Sequence, residues 1–143
     1  MGDGMTIAFR CALALVVVAA GDSEVWRVRV AAFRRHSADE ATVVLSMSEP
    51  SKRFPDGCKR LRMQVDYGAE HWVLMGEPVF EREEHRTALS LLQQAQKSRR
   101  VIRLAVDSEA LGRIKDRRCA VQTNFLSSEE KNGEPIFRSL YKW

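Results

Sequence analysis

Three segments in the first half of the chain switch between apolar and polar residues at nearly every step, and this period of two admits strands and little else. In Val25–Phe33, Trp26, Val28, Val30 and Ala32 share one face, while Arg27 and Arg29 share the other. In Ala41–Ser48, Val43, Leu45 and Met47 oppose Thr42, Ser46 and Ser48, with Val44 interrupting the polar side. In Cys58–Tyr67, Leu61, Met63, Val65 and Tyr67 oppose Arg60, Arg62, Gln64 and Asp66. Polar or Pro/Gly-bearing stretches separate them: His36–Glu40, then Glu49–Gly57 with Pro50, Pro55 and Asp56-Gly57. Three half-buried strands are expected, with arginines on the outward side.

The second half opens on Gly68–Pro78, where His71–Met75 suits either a short strand or a packed loop. Glu81–Lys97 then changes period. Ala88, Leu91, Leu92 and Ala95 recur at helical spacing, Glu81, Glu83 and Glu84 lie in the first turns, and Lys97, Arg99 and Arg100 lie at or just past the end. Both charge placements suit the helix dipole. Strands are expected at Arg100–Val106, Cys119–Leu126 and Ile136–Trp143. Asp107–Arg118 is a charged connection, and Asn132-Gly133 marks a type I′ hairpin turn.

The fold class expected from this order is mainly β, β-β-β-α-β-β, with one helix between strands 3 and 4. That order is similar to a small OB-type barrel. The alternative is an α+β layer in which the helix packs on an antiparallel sheet.

The N-terminus carries a different signal. Arg10 precedes an apolar run from Cys11 to Ala20, followed by Gly21. A basic start, a short apolar core and small residues form the pattern of a removable secretory leader, and the run is too short for a membrane span. Residues 1–21 are therefore expected to be a signal peptide, cleaved near Ala20 or Gly21, with Met1 or Met5 as the start. A buried N-terminal strand or helix is the competing account. Residues 22–143 then form a single exported, periplasmic or secreted domain with no stable membrane anchor after cleavage.

Cysteine usage agrees with export. Cys11 leaves with the leader, so the mature chain keeps Cys58 and Cys119. An even pair in an oxidising compartment is expected to form one disulfide. A free thiol pair or a metal site is the rival. Neither metal nor cofactor is expected, because His36, His71 and His85 lack ligand spacing.

The candidate ligand-binding residues are Arg27, Arg29, Arg60, Arg62 and Gln64 on one sheet face, joined by Arg103 where strand 4 lies alongside. A guanidinium fork binds carboxylate or phosphate through two bonds at once, and a net charge of +4 mildly favours anionic partners. The plain account of the same face is solvated arginine whose stems cover apolar surface. Nucleic acid is weakly supported, because Trp26 and Tyr67 fall on the core side and leave few stacking rings. Phe137, Tyr141 and Trp143 share a strand face and read either as core closure or as an exposed assembly patch. Glu81, Glu83, Glu84 and His85 fan around the helix start, so they do not converge for acid–base work.

No nucleophile elbow, phosphate loop, His-Glu-x-x-His or Cys-x-x-Cys occurs. An enzyme would need Asp56, His71 and Asp107 to meet in one cleft. The expected function is non-catalytic capture of an acidic ligand or acidic protein surface. An inhibitor or immunity-type module in the envelope is the alternative, and a structural envelope component is a third class.

Overall fold

A computed structural model describes residues 24–50, 53–54, 57–70, 72, 76, 80–107 and 119–141. The expected leader, Asp56, His71 and Trp143 lie outside the described residues. The chain builds β1 (Glu24–Arg35), β2 (Ala41–Met47), β3 (Arg60–Val65), α1 (Arg82–Ser98), β4 (Val101–Val106), β5 (Ala120–Thr123), β6 (Phe125–Lys131) and β7 (Glu134–Leu140). Among the described residues, no helix is long and apolar enough to cross a membrane.

All the strands join one mixed sheet in the order β5-β3-β2-β1-β4-β7-β6. The ladders β3–β5 and β4–β7 are parallel, and the others are antiparallel. This corrects the antiparallel expectation. The alternation in β1, β2 and β3 folds as written: Trp26, Val28, Val30, Val43, Leu45, Leu61, Met63 and Val65 are buried, while Arg27, Arg29, Arg60 and Arg62 are exposed. Ala32 departs from the expectation. The register slips between Val30 and Ala32, so Ala31 is a bulge and Ala32 turns outward.

The expected single strand 119–126 splits in two at Asn124, giving seven strands among the described residues where six were expected. β5 and β6 are neighbours in sequence, yet they form opposite edges of the sheet. Only a rolled sheet brings those edges to one residue. At the corner, Asn124 N–H donates to Leu140 O at 2.7 Å, and Asn124 O accepts from Gly68 N–H at 2.9 Å. No ladder joins β5 to β6, so the mainly β order is as expected while closure into an OB-like barrel is not seen.

The helix packs against β6 and the distal half of β1. β1 pairs with β4 only as far as Arg29, while its pairing with β2 continues to Arg35. The helix covers the side of β1 that β4 leaves, where Arg35 Nη1 donates to Ser90 Oγ at 3.2 Å. An uncovered edge would be open to pairing with other chains. His85, Ala88, Leu89, Leu92 and Ala95 face inward, whereas Leu91, expected inside, is 38% exposed. Ala88, Leu89, Leu92 and Ala95 meet Val28, Leu45, Ile102, Leu104, Leu126 and Phe137 in the main core. A smaller core of Ala69, Trp72 and Phe125, flanked by Tyr67, Phe80 and Leu140, holds the stretch before the helix.

Cys58 and Cys119 lie at disulfide-bonding distance, with Cα atoms 5.7 Å apart and a sequence separation of 61. In the chain-entropy model a bond across a loop of that length stabilises by about 4 kcal/mol. It ties the starts of β3 and β5 together. The β6–β7 turn has φ of 55° at Asn132 and 77° at Gly133, as a type I′ hairpin requires.

Candidate functional site

The sheet register places the sequence-selected arginines in rows. Arg29 on β1 faces Ser46 on β2, and Ser46 faces Arg60 on β3. Neighbouring strands lie about 4.8 Å apart, so the Arg29 and Arg60 backbones stand about 10 Å apart with one hydroxyl between them. The next row carries Ala32, Val44, Arg62 and Ala120. The third carries Arg34, Thr42, Gln64 and Gln122. The whole set therefore occupies one face, and it divides by what each side chain touches.

Arg27 pairs in register with Arg103 on β4, and both reach Glu134 on β7. Arg27 Nη2 lies 2.9 Å from one carboxylate oxygen and Arg103 Nε 3.2 Å from the other. A carboxylate between two guanidinia offsets like-charge repulsion across β1 and β4. Gln64 is also engaged: its Oε1 accepts from Thr42 Oγ1 at 2.7 Å, and Thr42 in turn lies 2.7 Å from His36 Nε2. Arg29, Arg60 and Arg62 form no ion pair or hydrogen bond through their side chains with the described residues.

Beside Arg29 the face is not flat. A depression of about 550 Å³ is lined by Arg29, Val30, Ala31, Ser46, Gln96 and Arg99. Three local features form it. The bulge at Ala31 bends β1 away from β4. Small side chains at Ala31 and Ser46 leave room. The helix ends alongside, and Arg99, the residue after its last turn, adopts φ 55° and ψ 32°. Arg99 N–H bonds Gln96 O at 3.3 Å and Arg100 N–H bonds Ala95 O at 3.1 Å, closing the carbonyl end. This left-handed cap position ordinarily takes glycine, and a side chain there costs about 1 kcal/mol. Sequence reasoning placed Arg99 only as a complement to the helix dipole and missed Gln96. Nothing in an Arg-Arg pair after a helix marks a left-handed cap.

Several other titratable groups are held by contacts within the fold. His85 is fully buried, and its Nδ1 accepts from Leu126 N–H at 3.0 Å. Its Nε2 therefore carries the proton and donates to Asp39 O at 2.8 Å. Burial holds its pKa below the ordinary value, so it is a neutral bridge between α1, the β1–β2 turn and β6. Asp39 accepts from Arg86 Nε at 2.7 Å, and this bond lowers its carboxyl pKa. Burial raises that of Asp66. Glu81, Glu83 and Glu84 are exposed and spread around the helix start. Asp107, the described member of the would-be catalytic trio, accepts a bond from Tyr141 N–H at 3.1 Å. Phe137 and Tyr141 are buried, in keeping with core closure.

Comparison with protein-family models, with curated proteins and with solved structures yields no match.

Proposed function

We propose that this chain is a small exported domain that binds rather than transforms, capturing an acidic ligand or an acidic protein surface through the arginine-bearing face of its sheet. One observation carries the reading. Arg29, Arg60 and Arg62 stand on one face with no acidic partner among the described residues, while Arg27 and Arg103 on the same face share Glu134. Unpaired guanidinia are ready to form charge-assisted, two-point bonds with carboxylates, sulfates or phosphates. In this reading the rolled sheet acts as an OB-like barrel left open beside the helix, a framework that presents its β2–β3 face to oligomeric ligands. The leader pattern and the Cys58–Cys119 pair support export into an oxidising compartment.

The test is affinity of the oxidised protein for dextran sulfate across a salt series, with the Arg60→Glu/Arg62→Glu double variant alongside. We expect the logarithm of the binding constant to fall steadily with the logarithm of salt. The charge reversals should weaken binding by about a hundredfold or more, at two lost and repelled contacts. Salt-independent binding, or a double variant that binds like the parent, overturns the proposal.

A further inference from the structure

We propose that the depression lined by Arg29, Ser46, Gln96 and Arg99 is a subsite for one carboxylate-bearing sugar unit of an acidic glycan, whose neighbouring units cross Arg60 and Arg62. The inference rests on the anionic-ligand reading above and narrows it to a ligand class.

The first argument is shape. An acidic protein surface would need only the flat part of the arginine face. The open hollow of about 550 Å³ at the end of the Arg60–Ser46–Arg29 row has room for one sugar unit beside the arginines. Small-ligand sites commonly enclose several hundred cubic ångströms.

The second is chemistry. Two guanidinia, Arg29 and Arg99, bracket a hydroxyl and a primary amide. Among the described residues, neither Ser46 Oγ nor the Gln96 side-chain amide has a hydrogen-bond partner. A hydroxyl and an amide each donate and accept, which is what sugar hydroxyls require. The guanidinia suit a carboxylate, and the small Ala31 side chain leaves room for the sugar ring.

The third is the absence of stacking groups. Trp26, Phe54, Trp72, Phe125, Phe137 and Tyr141 are buried, and no described aromatic side chain is exposed on the arginine face. Single-stranded nucleic acid relies on rings for its bases, so this face offers it only backbone contacts. The fourth is the conformation of Arg99. An arginine at φ 55° occupies a position better suited to glycine, where its side chain joins the hollow.

The experiment titrates the full oxidised chain with a hexamer of galacturonate, with the methyl ester of that hexamer, and with a twelve-residue oligothymidylate at one fixed salt concentration. The hexamer is expected to bind, and its ester about tenfold or more weakly, for loss of the charge-assisted fork. Gln96→Ala and Arg99→Gly should each weaken hexamer binding about fivefold while leaving oligothymidylate binding unchanged. A thermal midpoint held or raised in both variants separates lost contacts from lost folding. If both polyanions bind equally and depend on Arg60 and Arg62 alone, the glycan subsite is wrong and the anionic-ligand reading stands. If oligothymidylate binds more tightly, the ligand is nucleic acid and the subsite is again wrong. If neither polyanion binds, in this titration or in the dextran sulfate series, both readings fall.

Discussion

The two ends of the helix are built on opposite plans. At the start, His85 is sealed between Leu126 N–H and Asp39 O, and Arg86 and Arg82 close over the Asp39 carboxylate. Arg82 also reaches Glu70 and lies 4.7 Å from the centre of the Tyr67 ring. Those side chains bond within the protein. At the other end Arg99 takes a strained backbone conformation, and Arg29, Ser46 and Gln96 stand around it without side-chain partners among the described residues. Polar groups satisfied by their own chain serve stability, whereas accessible polar groups in a hollow are open to water and, in the proposal above, to a ligand.

The largest expected effect lies at the closed end. His85→Ala leaves a cavity and two unmatched backbone groups, Leu126 N–H and Asp39 O, and should destabilise by about 3 kcal/mol or more. Denaturant unfolding checks it, and a loss under about 1 kcal/mol would dissolve the contrast between the ends.

Acid should act on the same end next. The pKa of His85 lies below its ordinary 6.5 when folded, chiefly through burial, with Arg35 and Arg82 adding to the lowering and Asp39 opposing it. The unfolded chain therefore takes up this proton first. The stability that neutral His85 contributes is whole above pH 6.5 and declines as pH falls from there through the folded value. Asp39 is lowered by its bond to Arg86, so its contribution is whole above its ordinary 3.8 and is lost on further acidification through its own folded value. Unfolding free energy measured against pH should show the upper of these two declines in the parent and lack it in His85→Ala.

At the open end the signs invert. Arg99→Gly should raise stability by about 1 kcal/mol through relief of the left-handed conformation. The same change should weaken anion binding, and stability and affinity moving together would contradict the plan described. The smallest effect belongs to Glu134→Gln. Its ion pairs are partly exposed, so stability should change by less than about 0.5 kcal/mol. Freeing Arg27 and Arg103 should nonetheless strengthen binding to dextran sulfate, as titration at low salt would show.

Much of this was legible in the residues. The inward and outward faces of β2, β3 and β1 as far as Val30 follow from alternation, because a one-residue slip there would turn the buried set to solvent. Asn132-Gly133 announced its turn, and Cys58 with Cys119 announced a pair. The inner face of the helix was harder. Ala88, Leu89, Leu91, Leu92 and Ala95 satisfy two helical series, and only the wedge between β1 and β6 selects Leu89 over Leu91. The break at Asn124 left no mark, since Phe125 and Leu126 are both buried and read as a continuing strand. The bulge at Ala31 was equally silent, because alanine suits either face. For the candidate site, alternation supplied Arg29, Arg60 and Arg62. The Glu134 pairing and the hollow beside Arg99 depend on β4, β7 and the helix arriving from distant sequence, which no local pattern encodes.

The corner at Asn124 also bears on how such a chain comes to be folded. As it emerges from the ribosome, β1, β2 and β3 can form a local meander, but β3 and β4 gain their outer neighbours only when Ala120–Leu140 arrives. Until then the floor of the main core lacks Leu126 and Phe137, and the helix lacks one of its two walls. Pairings of such long sequence separation are slow to form. Late pairing of this kind leaves the outer edges of β3 and β4 open until Ala120–Leu140 has been made, the stage at which the chain is most exposed to pairing with a wrong strand.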